Sequence, residues 1–195
     1  MLQTRELCCE RNGRVLFEDI SFSVSPGEML RVEGSNGTGK TTLLRILCGL
    51  YLDYTGEVLW DLPDYPLYVG HRPGVKDQLT ARENLRWLAS LYEATCDDDR
   101  IDQALAQVGL AGYEQVTCGA MSQGQRKRVN LARLCLLESP AWLLDEPFSS
   151  IDVDGVAQLE ELIKAQLHRG GLVLLISHQG LSVDARVQSL RLGNP

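Results

Sequence analysis

The chain has 195 residues, 44% of them hydrophobic, enough for one substantial core and short enough for one domain, or one with an insert. Its longest apolar runs, such as LVLLI at 172–176, fall far short of the ~20 residues of a bilayer-crossing helix, and the opening MLQTRELCCERNGR carries charge where a secretory leader needs an apolar stretch, so neither a span nor export is expected. A net charge of -7 argues against a phosphate-backbone binder, and six cysteines with no CxxC pair, beside three histidines, read as buried thiols in a reducing compartment rather than a metal site.

In chain order, LFEDISFSV (16–24) alternates apolar and polar side chains and reads as a strand, Pro26-Gly27 as a turn, and MLRVEG (29–34) as a second strand. KTTLLRILCGL, from Lys40 to Leu50, has helical apolar spacing and stops near Gly49. TGEVLW and PLYVG read as short strands. From Thr80 to about Gln115 the chain changes character: TARENLRWLASLY and DRIDQALAQVGL both keep helical periodicity, which predicts a helical insert. Thr80 and Glu83 have capping-box spacing. Asp97 to Asp99 suit a helix start, where carboxylates meet free amides and the positive end of the helix dipole. A helix is expected from Gln123 to about Glu138, then AWLLDEP as a buried strand, a helix from Asp152 to His168, and LVLLISH as another buried strand. Continuous apolar strands separated by helices predict a parallel sheet covered on both faces.

Gly34-Ser35-Asn36-Gly37-Thr38-Gly39-Lys40-Thr41 fits GxxxxGK followed by Ser or Thr, between a strand and a helix as a P-loop requires. The glycines let the backbone curl so that successive N–H groups face phosphate oxygens, and the helix start points its positive end at them. Phosphate contacts are therefore expected from Gly34 through Thr42, with Lys40 reaching the β and γ phosphates and the Thr41 hydroxyl offered to Mg²⁺. The metal also needs a carboxylate at the end of a neighbouring parallel strand. Asp145 fills that place, holding Mg²⁺ through water, and Glu146 follows it as the general base that polarises the attacking water. Standing alone, these two acids would be a strand cap.

Three more segments follow in fixed order: Met121-Ser122-Gln123-Gly124-Gln125 with the basic Arg126-Lys127-Arg128, then Ser149-Ser150-Ile151-Asp152 after DEP, then His178 after LVLLIS. A serine hydroxyl, a glycine and free amides at a helix start make a second anion site. One chain with one P-loop has no use for two facing phosphate sites, but two copies head to tail do, giving two composite sites in an isologous dimer. By themselves, MSQGQ is equally a serine N-cap, His178 a strand-end histidine and the basic run a solvated helix start.

In these motifs and their order the chain resembles the ATP-binding-cassette (ABC) ATPases over essentially its whole length. The resemblance implies an α/β P-loop NTPase fold of the ABC ATPase type: a mixed sheet with helices on both faces, an antiparallel β subdomain and a helical insert. It further implies a single domain with its catalytic core at about 1–79 and 123–195 and a helical subdomain at about 80–122. Ser122, Gln123, Gly124 and Gln125 would be the signature that closes over ATP held by a second copy, Asp152 the D-loop acid, and His178 the switch histidine at the γ phosphate.

Departures from that pattern are informative. Gln123 stands where the signature usually has glycine, while Ser122 and Gly124 remain. Where an aromatic residue usually meets adenine the chain has Arg11, whose guanidinium plane can stack on the base, with Phe17 the alternative. Counting back from LTARENL aligns His71 with the family's glutamine between the nucleotide site and the insert; Gln78 is too near the insert helix. Imidazole donates and accepts as an amide does but ligates hard Mg²⁺ poorly, so a coupling or water-mediated part in the catalytic set is expected, against a loop histidine with no role.

YVGHRPGVK with LTARENL, MSQGQRKRV, the short length and an ending soon after His178 resemble one branch of the family, the ATP-binding subunits of the haem exporters of cytochrome c maturation in Gram-negative bacteria. That branch implies ATP and Mg²⁺ as cofactors, a head-to-tail homodimer around ATP, and integral membrane subunits as partners. It places the protein peripherally on the cytoplasmic face of the inner membrane, with no direct membrane insertion and no nucleic acid partner. Hydrolysis would serve haem delivery or the release of a haem-loaded chaperone. Cys8-Cys9 is not a CxxCH haem attachment. The alternative class is a soluble assembly ATPase of the iron–sulfur cluster type; a chromosome or repair ATPase needs a heptad run that is missing.

Overall fold

The computed structural model describes residues 1–64, 66–177, 183 and 185–193. The elements of its first part are β1 (Leu2–Arg11), β2 (Arg14–Val24), β3 (Met29–Glu33), α1 (Lys40–Leu47), β4 (Thr55–Trp60) and β5 (Leu67–Val69). Next come α2 (Ala81–Leu91), α3 (Asp98–Gln107), a 3-10 turn at Cys118–Ala120, α4 (Gln123–Leu136), β6 (Ala141–Asp145), α5 (Val153–His168), β7 (Leu172–Ile176) and β8 (Val187–Arg191). They form two compact units, one of Met1–Tyr68, Ser139–Glu146 and Lys164–Pro195, the other of Val69–Glu138 and Pro147–Ile163.

The first unit holds two sheets. In the antiparallel one, ordered β2-β1-β4, β1 and β2 are joined by Asn12-Gly13. Both turn residues have positive φ (52° and 72°), the conformation whose twist matches a two-residue hairpin. The expected strands at 16–24, 29–34 and 55–60 are present, but β1 itself is not legible as a strand. Its buried positions are Leu2, Thr4, Leu7 and Cys9. The alternation slips by one residue where Glu6 takes a φ of 48° and the register with β2 shifts.

The second sheet runs β5-β6-β7-β3-β8, with β3 parallel to β7 and β8, and β6 parallel to β7. Every residue of AWLLD in β6 and LVLLI in β7 is buried, which is why these strands are unbroken apolar runs. They pack with Leu30 and Val32 of β3 and Leu43, Leu44 and Leu47 of α1 in one core. One expectation is corrected: β6, which ends in Asp145, is not the neighbour of the P-loop strand, because β7 lies between it and β3. β8 was also not expected; its burial alternates along VQSLR, but polar residues stand on both faces and the more buried one pairs Gln188 with Leu190, so the apolar sequence does not alternate with it.

In the second unit α2, α3 and α4 pack on one another through Leu85, Leu88, Ile101, Leu105 and Val129. The capping box at α2 is complete: the Thr80 hydroxyl accepts from the Glu83 amide (3.1 Å) and the Glu83 carboxylate accepts from the Thr80 amide (2.8 Å). Asp97 caps α3 through the Arg100 amide (2.9 Å), while Asp98 pairs with Arg82 and Arg86. The acidic triplet is thus a cap and an ion-pair cluster.

Candidate active site

Between β3 and α1 the segment 34–39 forms the expected loop, with Gly34, Gly37 and Gly39 at φ of 145°, 82° and 94°. These angles let the chain curl, and crowding makes two of the glycines obligatory. A Cβ on Gly34 would lie 2.5 Å from the Leu192 carbonyl oxygen, and one on Gly39 would lie 3.0 Å from both Leu16 and Phe17. Ser35 and Asn36 stand exposed at the crest, whereas Thr38 and Thr42 are buried. Lys40 folds over the loop, its Nζ donating to the carbonyls of Gly34 (2.7 Å) and Ser35 (3.0 Å). A polar pocket of about 210 Å³ lined by Arg31, Val32, Glu33, Gly34, Lys40 and Ser177 opens beside it.

The carboxylate expected beside the loop is there. Asp145, 1% exposed at the end of β6, accepts from the Thr41 hydroxyl at 2.9 Å. Tyr68, which the sequence did not single out, donates to the same oxygen at 3.4 Å. Burial chiefly, and then the Asp145 charge, push the Tyr68 phenol up from its ordinary value of 10.0, so it remains a donor. Glu146 follows with a φ of 50°, unusual for a non-glycine residue, and its amide donates to the Ile176 carbonyl at 3.0 Å. Its turn out of β6 is therefore fixed by β7.

Of the adenine candidates, Arg11 is exposed where β1 meets the hairpin turn, and Phe17 is buried beneath the loop at Gly39. His178 lies outside the described residues.

The other segments lie in the second unit. Ser122 is the N-cap of α4: its hydroxyl accepts from the Gln125 amide (3.2 Å), and the Gln125 side chain accepts from the Ser122 amide (2.9 Å). Gln123 takes the first helical position, exposed. A Cβ on Gly124 would meet the Ser150 carbonyl oxygen at 2.6 Å, so glycine here admits the backbone of the 149–152 segment. Asp152 pairs with Arg128 and accepts from the Gly155 amide (2.9 Å) at the start of α5. The amide, and to a lesser degree Arg128, hold its carboxyl below the ordinary 3.8. The Ser122–Gln125 helix start and the 149–152 segment therefore lie against each other, through Gly124 at Ser150 and Arg128 at Asp152.

His71 is exposed in the loop after β5, and its carbonyl accepts from Lys127 Nζ at 3.2 Å. Reading the basic run as a solvated helix start is overturned: Lys127 is 2% exposed, and Arg126 pairs with Asp77. Lys127 was legible in principle, since it precedes the buried Leu131 and Leu134 by four and seven residues on one helix face.

The ABC transporter family profile matches residues 17–149. This chain belongs to the ABC transporter family. It is 50% identical to the cytochrome c biogenesis ATP-binding export protein of Saccharophagus degradans, over 92% of this chain and 87% of that one. The Vibrio cholerae protein of the same name is 45% identical over 100% of both chains, and that of Escherichia coli 43% over 98% and 96%. Among solved structures, a putative ABC transporter ATP-binding protein of Pyrococcus furiosus superposes with a TM-score of 0.83 at 27% identity, covering 98% of this chain and 96% of that one. A dimeric ATP-binding cassette bound to ADP and Pi, 22% identical, shares the fold with a TM-score of 0.80 over 92% of this chain and 88% of that one. As an ABC ATPase the chain binds nucleotide and hydrolyses ATP for transport. No helix among its described residues is long and apolar enough to cross a membrane.

Proposed function

We propose that this chain is the ATP-hydrolysing subunit of an ABC exporter for cytochrome c biogenesis, acting as a head-to-tail dimer bound to integral membrane subunits on the cytoplasmic face of the inner membrane. The observation that carries the reading is 45% identity, over the full length of both chains, with a cytochrome c biogenesis ATP-binding export protein, combined with an intact phosphate loop facing a buried carboxylate. The relatives named above are all cytochrome c biogenesis export proteins, which favours this reading over the iron–sulfur assembly class.

In this reading ATP phosphates lie on the amides from Gly34 to Thr42, with the Lys40 ammonium beside them. Thr41 and Asp145 present two hard oxygens 2.9 Å apart, a donor set that suits Mg²⁺, which is commonly held by one or two carboxylates plus substrate phosphates. When bound, Mg²⁺ neutralises charge on the phosphate oxygens during transfer. Glu146 orients and deprotonates the attacking water, and His178 meets the γ phosphate. Arg11 stacks on adenine. Ser122 to Gln125 of one copy close over the nucleotide of the other, with Asp152 beside the junction, and His71 couples the site to the helical insert at 80–122, which receives the membrane subunits. The cycle serves haem delivery or the release of a haem-loaded chaperone.

Two measurements test this. After cell fractionation and mild detergent extraction, the protein is expected in the membrane fraction with integral subunits attached; lasting residence in the soluble fraction with none recovered contradicts the exporter reading. Lys40→Ala should lose nucleotide affinity by at least about tenfold in a fluorescent-nucleotide titration, since it removes the only lysine of the loop.

A further inference from the structure

Lys127, buried in α4, is the observation that the proposed mechanism leaves unused. An ammonium out of water is costly unless oxygens replace its hydration, and an apolar side chain of the same length would cover this position more cheaply. Two of the oxygens around it are backbone carbonyls of the loop after β5: Nζ lies 3.2 Å from that of His71 and 3.5 Å from that of Gly70. One turn on, Asn130 is 1% exposed, its Oδ1 has no hydrogen-bond partner among the described residues, and it sits 4.0 Å from where a Cβ on Gly74 would be. Thus α4 turns a cation and then an acceptor toward the 70–74 stretch. The far end of the loop is held separately by Asn84, whose Nδ2 donates to the carbonyls of Lys76, Leu79 and Thr80 while its Oδ1 accepts from the Lys76 amide at 2.7 Å. At the end that carries His71, Lys127 is the α4 side chain that donates to the loop carbonyls among the hydrogen bonds described. Five residues separate Lys127 from the Ser122 cap, a rise of only about 7.5 Å along the helix.

We infer that Lys127 is a positioning residue for ATP hydrolysis: it fastens the Gly70 and His71 carbonyls to α4, so that the His71 loop and the Ser122–Gln125 helix start meet nucleotide as one rigid piece. This rests on the reading above that both segments belong to the ATP site. It concerns orientation, since Lys127 is buried in the second unit and the P-loop belongs to the first.

The test uses the full chain carrying Lys127→Met, which keeps length and removes the donor, and Lys127→Gln, a neutral amide that restores one. ATP turnover, binding of a fluorescent ATP analogue and melting temperature are measured for each. ATP-dependent dimerisation is measured by light scattering in a Glu146→Gln background. Lys127→Met should bind the analogue within about twofold of the native chain, lose about tenfold in kcat with KM little changed, and need about tenfold more ATP to dimerise. Lys127→Gln should recover most of kcat. If Lys127→Met does not fold, Lys127→Gln carries the comparison, with dimerisation closer to native than its melting temperature would suggest. Native kcat and native dimerisation in folded Lys127→Met, or losses in both variants that simply follow melting temperature, overturn the inference while leaving the ATP site standing. A Glu146→Gln parent with no ATP-dependent dimer overturns the composite-site reading itself, and this inference with it.

Discussion

At Gly34 the backbone leaves no room for a side chain: a Cβ would sit 2.5 Å from the Leu192 carbonyl oxygen and 2.7 Å from Thr38 Oγ1, at a φ of 145°. Gly49 has a positive φ of 73° too, but nothing lies within 4 Å of its Cβ position. Gly49→Ala should therefore cost only left-handed strain, about 1–2 kcal/mol by denaturant titration, and keep nucleotide binding. Gly34→Ala should abolish that binding, because relief of the clash means moving the loop itself. A charge effect is expected at the same scale. Glu83 is held below its ordinary 4.5 first by the Thr80 amide and then by the Thr80 hydroxyl, so its cap contribution is full above pH 4.5 and is lost as pH falls through the lower folded value. Unfolding curves in that window should weaken with acid, and Glu83→Gln should flatten the slope.

At the scale of elements, the two complete capping boxes make a matched pair. Thr80→Ala and Ser122→Ala should each cost about 1 kcal/mol of stability. Only Ser122→Ala should also slow ATP turnover if, as proposed, the start of α4 closes over the partner copy's nucleotide; equal effects of the two on turnover would reduce Ser122 to a cap. The caps, the buried strands and the loop between β3 and α1 were legible because each depends on residues within one turn or one pleat. β1 was not, since its bulge at Glu6 moves the apolar residues to the other parity midway. The burial of Lys127 was legible only in its spacing from Leu131 and Leu134, because Arg126 and Arg128 on either side, which find carboxylates at Asp77 and Asp152, give the run the look of a solvated helix start.

For the whole molecule, motif order was enough to reach the family, since each motif carries its own chemistry. It was not enough to order the sheet. That β7 separates β3 from β6 depends on which strands pair across more than a hundred residues, which no local pattern records. The carboxylate still reaches the loop, because Asp145 meets Thr41 at 2.9 Å. In the mechanism proposed above, hydrolysis turns on the next residue, Glu146, which leaves β6 at a φ of 50° and is anchored to Ile176. The most direct test is purified Glu146→Gln in ATP and Mg²⁺, followed at once for turnover and for mass by light scattering. Removal of the base should cut turnover by at least about a hundredfold and leave a stable ATP-bound dimer; turnover at the native rate, with the chain still monomeric, would contradict the account.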